Sequence, residues 1–118
     1  MKNVVSRKIK GDILMVHIYN KLVRDRIPEI IKSSGKTCKT EILSDTNYLR
    51  MLDVKLDEEL KEYYQNHSIE ELADLLEVIR ASAIARGYTL EELERIRIEK
   101  FNKRGGFEKK VLLTEVVE

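Results

Sequence analysis

The sequence predicts a mainly α fold, an antiparallel helical bundle with a small peripheral β element, from three observations. Apolar residues recur at three and four positions along two long segments, residues 46–65 and 69–86. Between them Asn66-His67-Ser68 can end one helix and cap the next, with Glu71 three positions after Ser68 as in a capping box. The single proline and the few glycines fall where helices begin or end. So short a connection folds the two helices back antiparallel.

The 118 residues suit one helical domain over 19–118, preceded by an N-terminal extension over 1–18. Lys2, Arg7, Lys8 and Lys10 precede Ile13-Leu14-Met15-Val16, but that apolar run is too short for a secretory signal and no small-residue cleavage site follows. The extension is expected to matter little for chemistry. Residues 19–26 read as an ordered approach to a first helix over 27–33, with Pro28 in its first turn and Gly35 closing it. Residues 37–43 alternate weakly, as a short strand does, before Ser44 or Asp45 caps the second helix.

In that second helix Leu49, Leu52, Leu56, Leu60, Tyr63 and Tyr64 form a core-facing stripe. The third has two stripes: Leu72, Leu76, Ile79 and Ala83 on one side, Val78, Ala81 and Ala85 on another. A helix apolar on two sides is sandwiched between neighbours. Thr89, with Glu92 three positions on, starts a fourth helix that runs through Leu93, Ile96 and Phe101 to Arg104-Gly105-Gly106. Residues 107–117 are rich in valine and leucine and are expected to pair with 37–43.

Charge and cysteine content exclude several classes. The 22 Lys and Arg and 21 Asp and Glu leave a net +1, with no global field for nucleic acid or an anionic membrane, so neither is an expected partner. A single cysteine, Cys38, excludes an internal disulfide and suits a reducing cytoplasmic interior, where a buried inert thiol is its expected state. No stretch is apolar enough to span a membrane.

The chemistry lies in the acids. Glu59 and Glu62 form ExxE on the second helix, and nine residues later Glu71 and Asp74 form ExxD on the third. Residues three apart share a helical face, so on antiparallel neighbours the four can converge. Asp74 begins the stripe of Val78 and Ala81, where an unpaired carboxylate is costly. Ionised carboxylates about 4 Å apart repel by about 4 kcal/mol per pair at an effective dielectric near 20, so something positive must lie among them. Oxygen-only ligands with high negative charge suit Mg²⁺ or Mn²⁺. A di-iron site wants Glu-x-x-His, whereas Leu14 and Tyr64 stand three positions before His17 and His67. Glu58, Glu70 and Glu77 point elsewhere on the wheel and are expected to face mainly solvent.

Two basic groups can complete a phosphate site. Lys100, Lys103 and Arg104 close the fourth helix beside Gly105-Gly106, where backbone can approach an anion; as plain helix-end cations they would complement the dipole instead. Asn20, Lys21 and Arg24 stand in a dense polar run ahead of Pro28, able to grip phosphate and base edges.

Taken in order, YNKLVRDRIPEII, EELKE, EELADLLEV and KFNKRGGF resemble the MazG-like branch of the all-α nucleoside triphosphate pyrophosphohydrolases, in particular its small single-domain, phosphoribosyl-ATP pyrophosphohydrolase-like group. The resemblance covers residues 19–118, and its EExxE then ExxD signature falls on Glu58, Glu59, Glu62, Glu71 and Asp74. It implies that Glu59, Glu62, Glu71 and Asp74 hold Mg²⁺, that Lys100 and Arg104 meet the triphosphate, and that Glu59 or Glu58 activates water. It further implies hydrolysis of a nucleoside triphosphate to the monophosphate and pyrophosphate by a homodimer or homotetramer. The alternatives are phosphoribosyl-ATP as substrate, or a catalytically idle helical oligomer that binds nucleotide.

Overall fold

The computed structural model describes residues 3–118. Its elements are β1 (Asn3–Ile9), β2 (Asp12–Ile18), α1 (Ile27–Ser33), α2 (Asp45–Asn66), α3 (Ile69–Ala85) and α4 (Leu90–Arg104). The chain is mainly helical with one two-stranded antiparallel sheet, and it is extended, measuring 73 × 30 × 27 Å with a radius of gyration of 20.1 Å. A compact domain of this length has a radius near about 13 Å. The helices therefore do not close around one shared core.

The local signals place the helices within a residue or so of their expected limits. Ser44, rather than Asp45, caps α2, its hydroxyl accepting from the Asn47 amide at 3.3 Å. The other two capping hydroxyls are those expected: Ser68 accepts from the Glu71 amide at 3.3 Å and Thr89 from the Glu92 amide at 3.0 Å. His67 ends α2 in the left-handed region at φ 54°, ψ 27°, and its amide donates to the Tyr63 carbonyl. That single left-handed residue followed by a cap reverses the chain, so α3 packs back along α2, while α4 meets α3 more lightly.

The shared α2–α3 face holds the two buried apolar side chains among the described residues, Leu52 and Val78. Leu49, Leu56, Leu60 and Tyr63 are half-buried as their stripe requires, but Tyr64, one helical step of about 100° further round, is turned out and 61% exposed. On α3 the stripe of Val78 faces α2, whereas Leu72, Leu76 and Ile79 remain exposed. The expected sandwiching of α3 is thus half realised within one chain.

The β element corrects the sequence expectation. Residues 37–43 and 107–117 form no strand, and Ile42 is 98% exposed. The sheet lies instead in residues 3–18, the segment read as an extension, with register Asn3↔Ile18 through Ile9↔Asp12. Lys10 and Gly11 take φ 51° and 85°, the two successive left-handed residues of a two-residue hairpin turn. Neighbouring strands joined by two residues close at small entropic cost, which the distant 37–43 and 107–117 cannot match. Among the described residues no helix is long and apolar enough to cross a membrane.

Candidate metal centre

Glu59 follows Leu52 by two helical turns and so enters the same α2–α3 face, where it is 6% exposed. Around it two carboxylate groups assemble. Glu58, Glu59 and Glu62 have ligand oxygens within 4.8 Å of one another, and so do Glu59, Glu71 and Asp74. Glu59 belongs to both, so the ExxE of α2 and the ExxD of α3 converge on one buried carboxylate. Glu59 Oε2 and Glu71 Oε2 are buried without a hydrogen-bond partner. Buried carboxylate oxygens are costly unless something positive or hydrogen-bonding meets them.

Part of the charge is met by cations of the chain itself. Lys55 Nζ lies 3.2 Å from Glu58 Oε1 and 3.4 Å from Glu59 Oε1, and Lys21 Nζ lies 3.2 Å from the same Glu58 oxygen. Arg24 donates to Asp74 Oδ1 at 2.8 Å across fifty positions of sequence, and Asn66 Nδ2 donates to Glu71 Oε1 at 3.3 Å. Burial alone would push the Glu58 carboxyl up, but hydrogen bonds and charge from Lys55 and then Lys21 hold it below the ordinary carboxylate range. Glu62 is pushed up, first by burial and then by its charge and hydrogen-bond relation to Glu59, with Glu71 and Glu58 adding repulsion.

The approach segment closes one side of the site. Val23 and Arg24 line a cavity of about 400 Å³ together with Lys55 and Glu59 of α2 and Asp74 and Val78 of α3. Carboxylate oxygens from two helices, with no Cys or His among them, are a donor set for a hard divalent cation.

The sequence reading and the geometry differ at several residues. Glu58, expected to face mainly solvent on the helical wheel, is half-buried and paired with Lys55 and Lys21, whose side chains cover it. Lys21 and Arg24, proposed for substrate, stand in the site as partners of Glu58 and Asp74. Asn20 is exposed at φ 48° just ahead of them. Lys100, Lys103 and Arg104 are exposed on the last turns of α4 and do not line the cavity. Lys55 was missed, although its spacing of three and four residues before Glu58 and Glu59 is the ion-pair spacing of a helix.

No protein-family model matches the chain, and no solved structure matches it. It is 58% identical over 41 residues to an uncharacterized protein of Mycolicibacterium smegmatis, a stretch that makes up 35% of this chain and 42% of that protein. The chain thus spans less than half the length of the relative it matches.

Proposed function

We propose that this chain is a Mg²⁺-dependent, MazG-like nucleoside triphosphate pyrophosphohydrolase that releases a nucleoside monophosphate and pyrophosphate, acting in the cytoplasm on modified or non-standard nucleotides. The observation that carries the reading is Glu59, buried with one oxygen unpartnered and shared by two carboxylate groups from facing helices. Glu59, Glu62, Glu71 and Asp74 would hold the ion, with Mn²⁺ as a substitute. When bound, such an ion supplies Lewis acidity, offsetting charge on a phosphoryl group and lowering the pKa of water.

The chain's own residues do the rest. Glu58 or Glu59 accepts the proton of the attacking water. Lys55 holds both carboxylates in place, while Lys21 and Arg24 add positive charge beside the cavity for a polyphosphate. Val23 shields the cavity on the side of the approach segment. Lys100, Lys103 and Arg104 enter this reading as contacts to outer phosphates, and the exposed Leu72, Leu76 and Ile79 of α3 support assembly as at least a dimer.

A panel of canonical, deoxy, modified and phosphoribosyl nucleoside triphosphates, read by pyrophosphate release with Mg²⁺, tests it. Pyrophosphate from at least one triphosphate is expected. Turnover confined to phosphoribosyl-ATP would replace the substrate class, stepwise orthophosphate would replace the reaction, and no turnover on any member would leave a nucleotide-binding oligomer.

A further inference from the structure

The hairpin of β1 and β2 is incomplete as it stands. A two-stranded ribbon is at best marginally stable alone, and among the described residues no helix packs against this one. Its register puts Val5, Ile9, Leu14, Val16 and Ile18 on one face, with Arg7 between Val5 and Ile9 and with Asn3 and Asp12 at its two ends. Both outer edges keep unpaired backbone groups.

A second incomplete element lies at the other end of the chain. After the Lys110 amide bonds to the Phe107 carbonyl, no backbone bond is made by residues 111–118. Val111, Leu112, Leu113, Val116 and Val117 are 72–88% exposed. The order of side chains on one side of this segment, Leu113, Glu115, Val117, is apolar, acidic, apolar. Along β1 the same side reads Val5, Arg7, Ile9, which is apolar, basic, apolar.

We propose that residues 111–117 of one chain add as a third strand along the free edge of β1 in a second copy, antiparallel, with Glu115 opposite Arg7. That register sets Val117 against Val5 and Leu113 against Ile9, so an opposite-charge pair is flanked by two apolar pairs on the face that is already apolar. The backbone agrees. Ile9 and Asp12 close a two-residue turn, so Ile9, Arg7 and Val5 direct their polar groups to β2, leaving those of Ser6 and Lys8 at the free edge. Ser6 and Lys8 then exchange backbone bonds with Val116 and Thr114, and Arg7 with Glu115 becomes the closer, non-hydrogen-bonded pair.

A shift by one residue would turn Glu115 to the other face and separate it from Arg7, so within antiparallel pairing the match specifies one register. A second copy is the occupant because a single chain carries both halves and leaves both open, whereas two copies exchanging segments satisfy two edges by one two-fold operation. The apolar face of α3 offers a separate contact between copies, so mass alone does not decide the question. The proposal is also independent of the metal centre.

The test is site-specific disulfide formation in a Cys38→Ser background. Chains carrying Arg7→Cys are mixed with isotope-labelled chains carrying Glu115→Cys, alongside a register control pairing Arg7→Cys with Thr114→Cys. The expected result is a disulfide between labelled and unlabelled chains for the first mixture and loss of that product in the control. Hydrogen exchange on the unaltered protein gives the second readout: amide protection across residues 111–117 that is present at high concentration and lost on dilution. The proposal is overturned by a cross-link no stronger than the control, by an Arg7→Cys/Glu115→Cys chain that closes on itself at a concentration-independent rate, or by amides of 111–117 that exchange freely at every concentration.

Discussion

Lys55 Nζ stands 3.4 Å from Oε1 of Glu59, one turn further along α2, so a buried acid of the candidate metal centre is partly balanced from within its own helix. Both side chains are largely buried, at 18% and 9% exposure, and solvent screening of the pair is weak. Replacing the lysine with an isosteric apolar residue leaves Glu58 and Glu59 facing each other. Lys55→Met should lower metal-free stability on the order of 2 kcal/mol, somewhat less than breaking a fully buried pair costs. The urea midpoint without Mg²⁺ checks this, and an unchanged midpoint would show that Glu59 does not depend on the pair.

Glu62→Gln should have the opposite sign. Its carboxyl is pushed up by burial and by neighbouring acids, so neutralising it removes repulsion. The variant should melt higher than the parent protein without metal and lose most of the Mg²⁺ response. If the parent binds Mg²⁺ as proposed, the ion at about a hundred times its Kd should add about 2.7 kcal/mol. Calorimetry with and without Mg²⁺ measures both; destabilisation by Glu62→Gln together with a parent indifferent to Mg²⁺ would remove the shared-ion assignment.

The same shifts fix the pH profile of the metal-free protein. Glu62, raised above its ordinary 4.5, binds more protons folded than unfolded, so its contribution to stability falls as pH rises through the raised value. Glu58, held below 4.5, contributes stability above its ordinary value that is lost as pH falls through the depressed one. Metal-free stability should therefore decline on both sides of the ordinary carboxylate range, and Mg²⁺ should flatten only the limb above it. Chemical denaturation across pH tests this, and an upper limb that stays steep at saturating Mg²⁺ would contradict it.

The cations proposed for phosphate lie in two places, Arg24 beside the acids and Lys100 and Arg104 on the last turns of α4. Arg24 and Asp74 are roughly half exposed, so Arg24→Ala should cost under about 1 kcal/mol of stability. Under the proposed function its kinetic effect should be larger, a rise in KM for a triphosphate of about tenfold, equivalent to one charge-assisted contact. Lys100→Ala and Arg104→Ala should raise KM as well and lower kcat if they meet the leaving pyrophosphate. Unchanged steady-state kinetics in both would return them to stabilising the end of α4.

The sequence made the α2–α3 pair legible because every device there is local: caps at Ser44 and Ser68, and acids three apart on one face. The hairpin was not legible, since Lys10-Gly11 is a weaker turn signal than Asn-Gly and the preceding lysines invited comparison with a targeting segment. Residues 37–43 and 107–117 have strand-like composition, but composition names no partner, and in one chain they have none. Lys21 and Arg24 reach the acids through the path of an irregular segment, which no periodicity encodes.

His67 gives the α2–α3 turn a meaning beyond reversal of direction. One left-handed residue and one cap set the angular phase between two helical screws, and each residue advances a helix by about 100°. Inserting a single alanine into α2 between Glu62 and Asn66 would retain every acid and every apolar residue, yet with the turn intact it would carry the start of α3 about 100° around α2 and so take Glu71 and Asp74 away from Glu59. The four carboxylates are thus a timed arrangement, and the clock that sets it is two residues long.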